Sequence, residues 1–245
     1  MDAHLDSNNI VKSLWIGSRL STLEILCINS FIRNGHDFHL YTYENIVNVP
    51  LGAKVFPANE VLPYGRIFYD SQGGVAAFSD WFRYKLLFDT GGWWVDMDMI
   101  CLQKFQVLEE YCFACERVNL NSDETTITTG VIKSEPGADF LGEILTYIDH
   151  VLATDSNIIW GEFGPKLLNL VLSRYNSNQY IKRSDVFCPI SWYQTDQLVS
   201  GDCPLFPKEA LAIHFWNEMW RRKKISKDDT YGSNTTYETL KRLYN

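Results

Sequence analysis

A chain of 245 residues, 46% hydrophobic and 21% charged, is long enough for one ordinary globular domain with its own core. Thirty acidic against 22 basic residues give a net charge of −8, the wrong sign for a general nucleic-acid binder. No uninterrupted apolar run is long enough to cross a bilayer, and the first nine residues lack the apolar stretch of a secretion signal. The expectation is a single cytoplasmic domain over 1–245, ending in a basic tail from about 221.

The elements follow in chain order. Residues 12–16 read as a short buried strand. Ser21-x-x-Glu24 has the spacing of a capping box and opens a helix that runs to Asn34, with Gly35 as its stop. Residues 38–43 alternate as a second strand, and 54–56 form a third. Apolar residues at 78, 81, 82, 86 and 88 predict a helix over 76–90, ended by Gly91-Gly92. An apolar strand bearing two aspartates follows. Further strands are predicted at 112–115 and 126–133, and helices at 140–152 and 165–175, the second with Pro165 in its first turn. Late strands are predicted at 186–189 and 211–216. Strands alternating with helices predict an α/β fold with a mixed, mostly parallel sheet, whose ligand site lies at the carboxyl ends of the strands.

Six cysteines occur, and only Cys112 and Cys115 have C-x-x-C spacing, with no second pair to complete a zinc set. They read as reduced, buried thiols. Eight Trp, thirteen Tyr and fourteen Phe serve a core, and they also suit stacking surfaces for sugars or bases.

The chemistry concentrates in Gly91-Gly92-Trp93-Trp94-Val95-Asp96-Met97-Asp98-Met99-Ile100. Within a strand, Asp96 and Asp98 share a face, while Val95, Met97 and Met99 point to the other. Neighbouring carboxylates repel and lose hydration, and a divalent cation is the simplest compensation. A bound cation in turn suggests a phosphate-bearing substrate. On the preceding helix, Asp80 and Arg83 share a face at i, i+3. They suit sugar hydroxyls and phosphate, although Asp80 also has a purely helix-stabilising reading near the N-terminus. His214, in an apolar strand, is either a satisfied core histidine or a third ligand of the cation. Arg221, Arg222, Lys223, Lys224 and Lys227 could meet phosphates or an anionic membrane, or form a solvated tail.

Five blocks, in order, carry a resemblance: Leu14-Trp15-Ile16-Gly17, Phe78-Ser79-Asp80-Trp81-Phe82-Arg83-Tyr84, Gly91 to Asp98, the weaker Gly164-Pro165-Lys166-Leu167-Leu168, and His214-Phe215-Trp216-Asn217. Together they resemble the sugar transferases with an Asp-x-Asp motif. That group includes α-1,4-galactosyltransferases, yeast initiating α-1,6-mannosyltransferases, bacterial capsule and lipopolysaccharide transferases and, more distantly, the large clostridial glucosylating toxins. The resemblance implies a GT-A (Rossmann-like) nucleotide-sugar-binding fold and a metal-dependent, retaining glycosyltransferase. It makes Asp98 a direct ligand of Mn²⁺ or Mg²⁺. Asp96 would touch the metal, partly through water, and ribose or the donor sugar. Asp80 and Arg83 would meet the donor sugar. Trp15, flanked by Leu14 and Ile16, would stack on uracil, which favours a UDP-sugar. His214 would lie on the metal or diphosphate, with Trp216 and Asn217 extending that block.

Thr129 and Gly130 are a candidate donor-sugar edge. Glu162, beside Gly161 and the Gly164-Pro165 turn, is the nearest candidate for orienting a sugar in a front-face reaction. The acceptor implied is a glycan or a lipid-linked sugar of a surface polysaccharide or glycoconjugate. Arg221, Arg222, Lys223 and Lys224 would then touch the inner face of the membrane. Met99 and the pair Trp93-Trp94 depart from the group, and neither departure is expected to touch a ligand. Two readings compete with the transferase. A haloacid-dehalogenase-type phosphatase also uses Asp-x-Asp, but it needs a later acidic pair that Gly201-Asp202-Cys203-Pro204 does not supply. A non-catalytic nucleotide-sugar-binding subunit is the other, although both carboxylates, Arg83 and His214 are all present.

Overall fold

The computed structural model describes residues 9–155 and 157–245; the polar start of the chain lies almost wholly outside them. The central sheet is built from β1 (Ile10–Trp15), β2 (Asp37–Thr42), β3 (Lys54–Pro57), β4 (Gly92–Val95), β6 (Cys112–Arg117) and β7 (Thr125–Ser134), in the order β3-β2-β1-β4-β7-β6. The pairs on the β3 side, through β4, are parallel, and β7 and β6 run antiparallel. The sheet is thus mixed, as expected, with its parallel half formed first in the chain. A separate two-stranded sheet pairs β5 (Met99–Cys101) with β8 (Ala212–His214).

Helices cover both faces. α1 (Thr22–Arg33) opens with the expected capping box: Leu23 N–H donates to Ser21 Oγ and Ser21 N–H to Glu24 Oε2. It packs with Phe31, Phe38, Trp93 and Met99 into one core. α2 (Ala76–Thr90) packs with α3 (Asp139–Thr154), α4 (Pro165–Leu172), Trp94 and Ile132 into a second core on the opposite face. Trp93 and Trp94 alternate across β4 and so bury one indole in each core. Gly91 ends α2 with φ +58°, and a Cβ there would sit 2.6 Å from Pro136 Cδ. Only glycine fits a turn that feeds β4 so tightly. The six cysteines are free, and all but Cys203 are buried.

Three expectations need correction. The aspartate-bearing run is not one strand. β4 ends at Val95, Asp96 N–H donates to Gly130 O as a last rung toward β7, and Met99 N–H then donates to Asp96 O to close a turn. The chain leaves the central sheet there, because Met99-Ile100-Cys101 finds a better-buried partner in β8. Asp96 and Asp98 therefore converge through a turn, not through strand alternation. Residues 186–189 are not a strand either: α5 (Ser184–Phe187) is a single helical turn, a case where a four-residue apolar run lacks a decisive period.

The third correction concerns the C-terminus, which is no solvated tail. α6 (Asn217–Lys223) and α7 (Thr236–Tyr244) fold onto α1, burying Trp220 and Tyr237 completely. Arg221 and Arg222 share Glu218, Lys223 pairs with Asp196, and Lys227 reaches the buried Glu24. No helix among the described residues is long and apolar enough to cross a membrane.

Candidate active site

α2 places Asp80 and Arg83 side by side at the carboxyl end of β4. The Arg83 guanidinium is fully committed. One nitrogen lies 2.9 Å from Asp96 Oδ1 and donates to the Thr129 carbonyl at 2.6 Å, and the other lies 3.2 Å from Asp80 Oδ1. Its flat face rests on the Trp94 ring, 4.9 Å from the centroid. Trp94 Nε1–H in turn donates to Asp96 Oδ1 at 2.8 Å. Trp94 therefore does touch an aspartate of the motif, contrary to expectation. Oδ1 of Asp96 is held from two sides. A Cβ on Gly130 would lie 3.6 Å from Oδ2 and 3.3 Å from the His214 ring, so that position admits no side chain without movement.

Asp80 is sunk between Arg83 and the turn before α4. A Cβ on Gly164 would lie 3.3 Å from its carboxylate, which explains a glycine there. Burial pushes the Asp80 carboxyl up to about 6; Arg83 pulls it down, but Arg83 is shared with Asp96.

Asp98 belongs to the other sheet. Its carbonyl accepts from Phe215 N–H, and its carboxylate accepts from Asn217 N–H at 2.6 Å and lies 3.3 Å from His214 Nε2. Burial works against the charge, but His214 and the Asn217 amide overcome it and hold the Asp98 carboxyl at about 2. In the same pair burial lowers the imidazole value, and the Asp98 carboxylate more than reverses this, lifting His214 well above the ordinary range. The His214 ring stacks on Trp216, centroids 3.8 Å apart. Trp216 adopts φ +56°, ψ +55°, a left-handed conformation rare outside glycine, and this bend aims the Asn217 amide at Asp98.

Asp96, Asp98 and His214 thus meet, each offering one ligand atom within 4.8 Å of the others. Two carboxylates and an imidazole suit a divalent cation of the Mn²⁺ or Mg²⁺ type. His214 Nδ1 is buried without a hydrogen-bond partner, a cost that a bound ligand would relieve.

The remaining candidates are more scattered. Trp15 ends β1 half-buried, its indole N–H bonded to Arg19 O and its ring 5.7 Å from Lys227 Nζ. Leu14 and Ile16 pack into the α2-side core, so only their backbone is free to meet a ligand. Thr129 contributes its carbonyl to Arg83, and Gly130 its carbonyl to Asp96. Glu162 is engaged by Tyr147 of α3, with Tyr147 OH donating to Oε1 at 3.0 Å. Ser79, which holds Arg83 from the side, and Gly164 as the wall of Asp80 escaped the sequence reading as site components. Only the block containing Gly164-Pro165 hinted at the second.

Residues 24–114 match the family model described as the glycosyltransferase sugar-binding region containing DXD motif. No curated protein matches the chain in sequence. Among solved structures it is similar to the PaToxG glycosyltransferase, at 14% identity and a TM-score of 0.51 over 71% of this chain and 74% of that one. It is also similar to the glycosyltransferase domain of the YGT toxin, at 8% identity and a TM-score of 0.46 over 78% of this chain and 85% of that one. A third is the glycosyltransferase GlyE of Streptococcus pneumoniae TIGR4, at 13% identity and a TM-score of 0.44 over 96% of this chain and 63% of that one. At such identities the likeness is one of fold, and the first carries it. The chain has GT-A architecture and is glycosyltransferase-like, and its residues 24–114 match the family's sugar-binding region with the DXD motif.

Proposed function

We propose that the chain is a metal-dependent, retaining glycosyltransferase that moves a hexose from a UDP-sugar to a glycan or lipid-linked acceptor, with residues 1–245 acting as one catalytic unit. The observation that carries the reading is the meeting of Asp96, Asp98 and His214 within 4.8 Å, beside the buried Asp80–Arg83 pair. Asp98, Asp96 and His214 would hold Mn²⁺ or Mg²⁺, which when bound neutralises charge developing on the diphosphate leaving group. Asp80 and Arg83 set the wall against which the hexose lies, and Arg83 keeps Asp96 in one orientation. Trp15 offers an aromatic face for the uracil.

The anomeric carbon–oxygen bond breaks with its electron pair going to the diphosphate. The acceptor hydroxyl attacks from the same face and passes its proton to the departing phosphate oxygen, which preserves configuration without a protein nucleophile. Glu162 is a candidate for orienting the acceptor once Tyr147 releases it. The proposal leaves out a membrane contact at Arg221, Arg222, Lys223 and Lys224, since three of the four are already ion-paired within the fold.

The test is a thermal-shift screen of UDP-, GDP-, dTDP- and CMP-sugars with Mn²⁺, followed by assay of nucleoside diphosphate release with and without acceptor glycans. A Mn²⁺-dependent stabilisation by UDP-sugars with UDP release is expected. No release from any donor, alongside cleavage of phosphatase substrates, would overturn it.

A further inference from the structure

A closed path of contacts runs around the candidate site. It starts at Asp96, passes through Arg83 to Asp80, and meets Gly164, where a Cβ would touch the Asp80 carboxylate. From Gly164 the turn leads back to Trp160, whose ring carries the Arg222 guanidinium 5.2 Å from its centroid. Arg222 sits in α6, whose first residue, Asn217, donates its backbone N–H to Asp98. Trp160 thus borders the site of both aspartates, linked to it through the Gly164 turn and through α6, although no sequence pattern pointed to it.

This border is braced. Trp160 N–H donates to Ser71 Oγ at 3.1 Å, Ser71 N–H to the Ile158 carbonyl at 2.8 Å, and Tyr84 OH to the Phe163 carbonyl at 3.0 Å. Arg222 is itself fixed by Glu218 through Nε at 2.7 Å. Yet the indole remains 40% exposed, with Ile159 beside it at 60% and Tyr69 on the bracing segment at 68%. With Ile159 and Tyr69 the ring presents apolar surface on two hydrogen-bonded segments, more than one scattered side chain. It carries no charge to offer a diphosphate. Its π face suits the apolar C–H face of a pyranose, and the guanidinium shows how that ring already takes a flat partner.

Resting on the glycosyltransferase reading, we propose that Trp160 is the stacking platform of the acceptor subsite, taking a neutral pyranose and held in register by Arg222. On the proposed function, the donor's diphosphate would be met by the cation held at Asp96, Asp98 and His214, and its base by Trp15, at the end of β1 beside Lys227. That leaves Trp160, which precedes the turn carrying Glu162 and Gly164, for the acceptor.

The test uses the full chain with Mn²⁺ and UDP, and probes it with methyl glycosides of glucose, galactose, mannose and N-acetylglucosamine by saturation-transfer NMR and titration. At least one methyl glycoside should bind, with ring protons in close contact. Trp160→Ala should weaken that binding about tenfold, the scale of one aromatic contact, and Trp160→Phe should restore most of it. Arg222→Ala should weaken it less, because it loosens the ring without removing it. Circular dichroism and melting temperature confirm that the variants are folded. Equal glycoside binding by folded wild type and Trp160→Ala, or no glycoside bound by a wild type that binds UDP, would overturn the platform alone. Failure of the wild type to bind UDP with Mn²⁺ would instead count against the glycosyltransferase reading.

Discussion

Asp96 and Asp98 stand two residues apart, yet they are supported by different machinery. Asp96 hangs from the central sheet, and its partners Arg83, Trp94 and Gly130 come from α2, β4 and β7. A permanent cation and an indole N–H fix one of its oxygens. Asp98 belongs to the small sheet, and its partners His214 and the Asn217 amide come from more than 110 residues away in sequence. Its charge is balanced by a titratable ring and a backbone dipole. The Asp96 half is a rigid, prepaired node. The Asp98 half pairs with a group that can lose its proton, so its charge balance is not fixed in the way Arg83 fixes that of Asp96.

Arg83→Met would strand the buried Asp80 and the half-buried Asp96 and is expected to cost about 3–5 kcal/mol, read as a lowered urea midpoint. A midpoint equal to wild type would show that Asp96 is not held by Arg83. Asp98→Asn should keep the fold, at a smaller loss of stability because His214 can shed its proton, but cut sugar transfer about a hundredfold or more, as loss of a metal-centred charge does, and weaken Mn²⁺-dependent donor binding. Near-normal turnover would remove Asp98 from the metal site.

The Asp80 carboxyl lies near 6 when folded against an ordinary 3.8, so the folded state holds its proton more tightly. The stability this confers is complete below about pH 4 and is lost as pH rises through 6, about 3 kcal/mol in all. Asp80→Asn should flatten that part of the curve; a wild-type profile already flat between pH 4 and 6 would refute the buried, protonatable Asp80. The smallest effect belongs farthest from the node. Trp15→Ala should raise the donor KM by the equivalent of about 1–3 kcal/mol, the worth of one stacked base, with kcat little changed. Unchanged donor affinity would place the uracil elsewhere.

Much of this was legible in the sequence. The capping box of α1, the glycine stop before β4 and the shared face of Asp80 and Arg83 are local, set by periods and turn chemistry within a few residues. The blocks at 91–98 and 214–217 held all three residues, Asp96, Asp98 and His214, that meet as the candidate cation cluster. What the sequence hid was the turn. A run apolar on both faces looks like one buried strand, and nothing local says that it changes sheets after Val95. Trp94 was visible only as an oversized apolar residue, because its N–H finds Asp96 only after that turn bends the carboxylate back. The basic C-terminal residues looked like a solvated tail because two of the anions that pair them, Asp196 and Glu24, lie 27 and 203 residues away along the chain.

The sequence by itself determined the α/β alternation, the helix that carries Asp80 and Arg83, and the identity of the groups able to meet a cation. These follow from hydrophobic period, glycine placement and side-chain chemistry, all of which act over one or two turns of chain. Only the tertiary structure decided that β5 leaves the main sheet to pair with β8, that His214 thereby arrives at Asp98, and that Trp160 and Arg222 border the site. Those contacts join segments separated by 60 to more than 110 residues. Their free energy comes from burial that no single segment can supply alone.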